Sequence, residues 1–233
     1  GHAHADLLSF DLSHGARRLV TDTGTGMYAA GPARDHLRST AAHNTVQLDG
    51  EELLEAWSSF RTGRRGRARC HGRGETAGFA WLHASHDGWR WRPGRPVHHR
   101  LLAVEEDAVL VLDAVLGGGA HAVASRLHLH PDAPPEALRV HPLAGNLEWS
   151  RGPVHELFGE TREGAVALVE ERAALPWLGG FWLRFGSGAT PRSTLAWDGD
   201  AVVAEIADGP VRVRVRWLPA AASVAIDVLA SRA

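Results

Sequence analysis

The chain has 233 residues, 44% of them hydrophobic and 22% charged, a balance that suits one large globular domain or two small ones and excludes disordered or collagen-like structure. A formal charge of -2 argues against a dedicated nucleic-acid binder, and the single cysteine, Cys70, excludes an internal disulfide framework and a cysteine-based zinc site. No run of 18 apolar residues and no signal-peptide core is visible, so neither a membrane span nor an export signal is expected from these residues. The chain does not begin with Met, and the expectation is a piece of a longer protein.

Period two dominates from the start. Leu8, Phe10 and Leu12 alternate with Ser9, Asp11 and Ser13, so a strand with one apolar face is expected. Just before it, His2 and His4 stand two apart and would converge on one side of an extended chain. A strand over 17–21 delivers Asp22, followed by Gly24, Gly26 and the lone tyrosine, Tyr28; taken alone, Asp22 reads first as an Asx turn at a strand end. The segment Arg34-Asp35-His36-Leu37-Arg38-Ser39-Thr40-Ala41-Ala42-His43-Asn44 leads into a strand over 44–48 and the Asp49-Gly50 turn. Imidazoles and one carboxylate at strand ends make a chemically sensible divalent-metal set of the kind that suits Zn²⁺.

Short helices are expected only at 51–57 and 134–139. The Arg-rich stretch 61–76 reads as a solvated loop running into an edge strand, with a basic rim for an anionic ligand as the sharper alternative. Further strands are expected at 79–86, 97–105, 108–115, 121–129, 164–171, 181–186, 201–206, 211–217 and 223–229. Turn signals separate them at Gly117-Gly118-Gly119, Asp198-Gly199 and Asp208-Gly209-Pro210. About a dozen strands with close turns predict an all-β, multi-stranded antiparallel β-sandwich of two or more stacked sheets.

The fifteen histidines are a large stock of ligands and acid–base groups. His128 and His130 are expected to pack or face solvent. His98 and His99, being adjacent, point to opposite faces and form no simple pair. Nine Trp against one Tyr is a balance often met in sugar-handling β domains, but for Trp57, Trp81, Trp89 and Trp91 core packing is the first expectation.

Three segments in this order, GHAHAD, LVTDTGTGMY and RSTAAHNTVQLDG, resemble the heparinase II/III-like family of polysaccharide lyases, and HHRLLAVEEDAVLVLDAVLGGGAHAVASRLHLHPD extends the likeness. The resemblance implies the C-terminal β-sandwich of a two-domain lyase over residues 1–233, with the family's N-terminal (α/α) toroid absent from this chain. It implies a structural zinc held by His4, Asp22 and His43, an active-site His2 facing substrate, and Tyr28 near an active-site tyrosine. Arg38 and Asn44, flanking a proposed ligand, are candidates for substrate contact. His36 stands where the family often has Tyr. The implied substrate is a uronic-acid polysaccharide, heparan sulfate-like or alginate-like, cleaved by β-elimination, and the implied location is periplasmic or secreted in a bacterium. The remaining catalytic groups belong to the toroid, so the chain alone is expected to be inactive and to self-associate, as a homodimer, through the face the toroid would cover. A non-catalytic carbohydrate-binding or structural sandwich with a structural metal is the alternative reading.

Overall fold

The computed structural model describes residues 3–221 and 223–230. Among them are sixteen strands and one α-helix. Strands β1 (Leu12–His14) and β2 (Arg17–Val20) form a small hairpin, followed by α1 (Pro32–Arg38) and β3 (Val46–Leu48). Then come β4 (Ala68–Thr76), β5 (Phe79–His86), β6 (Val97–Val104), β7 (Ala108–Leu116), β8 (Ala120–His128) and β9 (Leu138–Pro142). The chain continues through β10 (Leu147–Val154), β11 (Arg162–Ala174), β12 (Trp177–Phe185), β13 (Arg192–Asp198), β14 (Ala201–Asp208), β15 (Val211–Leu218) and β16 (Ser223–Ala230).

These strands build three stacked antiparallel layers. The first has the order β10-β11-β8-β3, the middle β4-β5-β6-β7-β12-β9, and the third β13-β14-β15-β16. Strand β7 shows why the stack has three layers. Its residues Ala108, Leu110, Leu112 and Ala114 join a core with Val202, Ala204, Val213, Val215 and Trp217 of the third layer. The alternate residues Val109 and Val111 pack with Leu127, Ala167 and Val169 of the first layer, and Val115 with Val46, Leu48 and Val123. A strand covered on both faces has no polar side to alternate with, hence the nearly unbroken apolar run AVLVLDAVL.

The sandwich expectation therefore holds, with three layers. The helix expectations do not: 51–57 is loop and 134–139 is a turn entering β9. The helix lies instead at Pro32–Arg38, where Gly31 and Pro32 supply the entry and Leu37 the buried anchor. Its seven residues are too few for a clear 3.6-residue pattern. The strand expected from Leu8 begins only at Leu12, since Leu8 sits at φ 62°, outside the extended region. The Arg-rich segment behaves as a loop running into β4, which is an edge of the middle layer.

Candidate functional site

Asp22 emerges from β2 with its backbone tied down. Its N–H donates to Asp11 Oδ1 at 2.7 Å, and its Oδ1 accepts from the Gly24 N–H at 2.8 Å, which is the Asx turn expected at a strand end. The other carboxylate oxygen meets His43 Nδ1 at 2.6 Å. Gly24 is required here: it has φ +75°, and a Cβ on it would lie 2.2 Å from the carbonyl oxygen of His155.

His43 caps a short 3₁₀ turn over Thr40–Ala42 and is completely buried. Its Nε2 is buried without a hydrogen-bond partner among the described residues. The His4 ring lies 5.3 Å from the His43 ring, tilted by 44°. His4 Nε2 faces Arg34 Nη1 at 3.2 Å and Thr25 Oγ1 at 3.5 Å. Because a guanidinium only donates, His4 accepts through Nε2 and carries its proton on Nδ1. As it stands, His4 does not bring a nitrogen within 4.8 Å of both Asp22 and His43, and metal ligation by all three requires His4 to turn away from Arg34.

The electrostatics favour ligand-ready forms. Burial first, then His43 and Arg34, lower the His4 pKa to about 4, so the ring is neutral near pH 7. Burial alone would raise the Asp22 carboxyl, but the hydrogen bond and charge of His43 and the Gly24 N–H outweigh it and lower its pKa. A carboxylate in contact with one imidazole and a second, neutral imidazole beside them are donors chemically suited to zinc, so the donor set fits the ion the resemblance implies.

The other expected residues fall into two groups. Arg38 and Asn44 are buried, and both are committed to backbone. Arg38 Nε and Nη2 donate to Ala3 O at 3.3 and 3.1 Å and Nη1 donates to Ser58 O, while Ala5 N–H donates to Arg38 O at 3.0 Å; the end of α1 thus grips the segment that carries His4. Asn44 Nδ2 donates to Phe10 O and Thr21 O, each at 2.9 Å, and its Oδ1 accepts from the His128 N–H at 2.7 Å. Asn44 thereby ties β2 and the N-terminal segment to β8. Tyr28 is instead exposed, with Arg34 over its ring at 5.4 Å and Phe60 and Phe158 at 5.4 and 5.1 Å. His2 lies outside the described residues.

Sequence reasoning missed Arg34, which is fully buried yet reaches both His4 and, through Nη2, Ser59 O at 3.2 Å. It also missed how the β5–β7 register sorts the histidines. His98 and His99 do point to opposite faces, but each finds a histidine on the neighbouring strand. His98 Nδ1 meets His86 Nε2 at 3.1 Å, and His98 Nε2 meets Asp113 Oδ1 at 2.7 Å. His99 joins His71 and His83, and this cluster could hold a metal, its ligand atoms all lying within 4.8 Å of one another. His128 packs as expected, whereas His130 pairs with Glu156 at 2.6 Å. Of the four tryptophans weighed, Trp89 is fully buried, while Trp57 and Trp91 are exposed.

A three-layer antiparallel sandwich with a histidine–aspartate–arginine cluster on its N-terminal segments defines the class of domain. Residues 1–218 match the family model "Heparinase II/III-like, C-terminal", and the chain belongs to that family. Among solved structures it is similar to the heparan sulfate lyase HepC from Pedobacter heparinus, with TM-score 0.70 and 13% identity over 100% of this chain and 38% of that one. It is also similar to a crystal structure of heparinase III, with TM-score 0.69 and 12% identity over 97% of this chain and 36% of the other. At these identities the likeness is one of fold. The chain spans a little over a third of the length of either structure. No curated protein matches it.

Proposed function

We propose that the chain is the zinc-bearing β-sandwich of a polysaccharide lyase that cleaves uronic-acid-containing glycans, heparan sulfate-like or alginate-like, by β-elimination. The observation that carries the reading is the contact of Asp22 Oδ2 with His43 Nδ1 at 2.6 Å beside the His4 ring, on the three ordered segments; an ion shared by Asp22 and His43 would take that Nδ1. His4, Asp22 and His43 would hold the ion, which supplies cross-linking of three segments distant in sequence.

Elimination across C4–C5 of a uronate needs the substrate carboxylate neutralised, a base for the C5 proton and an acid for the departing O4. Tyr28 is the group on this chain suited to the acid role: it is exposed, with the Arg34 guanidinium over its ring. Arg34 itself is spent on His4 and Ser59, so it shapes the pocket rather than meeting a substrate carboxylate. The resemblance gives carboxylate neutralisation to His2 and the remaining roles to a toroid.

The test is uronate-unsaturation absorbance on a panel of acidic polysaccharides with the full-length protein, alongside zinc content. His43→Ala should remove about one zinc per chain, because a structural site with one ligand gone no longer closes. Unchanged zinc in that variant, or no unsaturated product from any uronate polymer, would sink the reading. The second reading, a carbohydrate-binding module without catalysis, draws on exposed Tyr28, Phe60, Phe158 and Trp57. It predicts retention on glycan columns without product.

A further inference from the structure

We propose that His71, His83 and His99 form a second site for a divalent transition metal such as Zn²⁺, distinct from the pocket of His4, Asp22 and His43 and lying at the seam between the middle and third layers.

The site comes from strand register. Strands β4, β5 and β6 are consecutive neighbours in the middle layer. On β6, His99 shares its face with Leu101 and Ala103, and on β5, His83 shares its face with Phe79; those neighbours belong to the core formed with the third layer. Cys70 pairs with Ala84 and Gly72 with His83, which leaves His71 in a bulge between them. A bulge re-aims the side chain it carries, and here it brings the His71 ring over His83, with centroids 4.6 Å apart, and to 5.4 Å from His99.

The nitrogens are already close to a coordination geometry. His83 Nε2 and His99 Nδ1 stand 3.3 Å apart. Two nitrogens at ~2.0–2.1 Å on a tetrahedral zinc are separated by ~3.3 Å. His71 offers the third ligand atom, those of the three residues all lying within 4.8 Å of one another. Burial, with the neighbouring histidines, lowers His83 to about 4 and His99 to about 3, so both lone pairs are available at neutral pH. Trp217 seals one side, its ring edge-on to His83 at 5.2 Å, while half-buried His71 on the edge strand leaves a way in.

As it stands the cluster is held by one contact between His83 Nε2 and His99 Nδ1, and by His71 Nε2 with Ser85 Oγ at 2.7 Å. A metal turns the same three groups into a staple across β4, β5 and β6.

The experiment strips the purified protein with a chelator and titrates it with Co²⁺ alone, following stoichiometry and the visible bands of tetrahedral cobalt. The expected result for the native protein is about two equivalents bound, from two independent sites. His71→Ala and His71→Phe, at a half-buried edge bulge and checked for native circular dichroism, should each lose about one equivalent, and His43→Ala should keep that equivalent. One equivalent that vanishes with His71 but survives His43→Ala would support this site even if the first fails. Binding that is unchanged in both His71 variants would overturn it, as would binding abolished entirely by His43→Ala.

Discussion

Removing the Asp113 carboxylate is expected to be among the most damaging single changes in the protein. Asp113 and Arg100 are almost wholly buried. The carboxylate accepts from Arg100 Nε at 2.7 Å, from Arg100 Nη2 at 3.0 Å and from His98 Nε2 at 2.7 Å. In Asp113→Ala the guanidinium stays buried with no counter-charge and His98 loses its acceptor, so the cost should be about 3–5 kcal/mol. Against a typical total of about 5–15 kcal/mol that is a large fraction. Arg100 Nη1 also donates to Leu8 O at 2.7 Å and Asn44 O at 2.5 Å, tying together the segments that carry His4 and His43. Stability loss should therefore come with weaker zinc binding, by about 10–100-fold if the pair acts as an outer support of the site. Guanidinium unfolding followed by tryptophan fluorescence measures the first effect, and competitive zinc titration the second. A control replaces both charges, Arg100→Met with Asp113→Leu. That pair should be less destabilised than Asp113→Ala, because no unpaired charge remains. A single-variant loss below about 1 kcal/mol, within the range of ordinary substitutions, would refute the reasoning.

Acid should destabilise the metal-free protein well before its carboxylates titrate. Burial pushes the His86 and His98 pKa values below the ordinary 6.5, so the unfolded chain takes up protons that the folded one refuses; stability should be level above about pH 6.5 and fall below it. A melting temperature that is flat from pH 7.5 to 5 would contradict this. Gly24→Ala should destabilise by about 1–3 kcal/mol and loosen the Asp22 turn, because the new Cβ meets the His155 carbonyl at a positive φ; thermal melts with and without zinc test it.

The fold was largely legible because some strands alternate buried with exposed residues and others, such as β7, are covered on both faces and read as unbroken apolar runs. Strand β15 is the clearest case, with Val213, Val215 and Trp217 buried and Arg212, Arg214 and Arg216 exposed. Strands β9 and β10 escaped for a physical reason. Most of their residues are half-buried or exposed, and β10 includes Gly152 and Pro153, so neither carries an apolar face strong enough to read. Strand β13 does alternate, with Leu195 and Trp197 packing inward, but its short polar context hid it. For the pocket, motifs could nominate Asp22 and His43 because each sits beside a strand end. Arg34, Arg100 and Asp113 act through partners 30, 56 and 13 residues away, and such pairings are set by register and layer stacking rather than by spacing.

Strand β6 shows how one element serves two unrelated sets of chemistry. Its residues alternate between the two covered faces of the middle layer. His98 and Arg100 face the first layer, where they meet Asp113 and hold the segments around the pocket. His99 and Leu101 face the third layer, where His99 meets His83 and Leu101 enters the apolar core. On the first-layer side the tautomers are fixed in sequence. The Gly88 N–H donates to His86 Nδ1 at 3.2 Å, so His86 carries its proton on Nε2 and donates to His98 Nδ1; His98 then donates from Nε2 to Asp113. Every nitrogen in that chain has an assigned partner, which leaves no lone pair for a metal. On the other side His83 Nε2 and His99 Nδ1 face each other at 3.3 Å, and His71 brings a third imidazole to them. The same residue type, one position apart, is thus locked into a structural relay on one face and gathered with two other imidazoles on the other, and strand alternation together with the β4 bulge at His71 makes the difference.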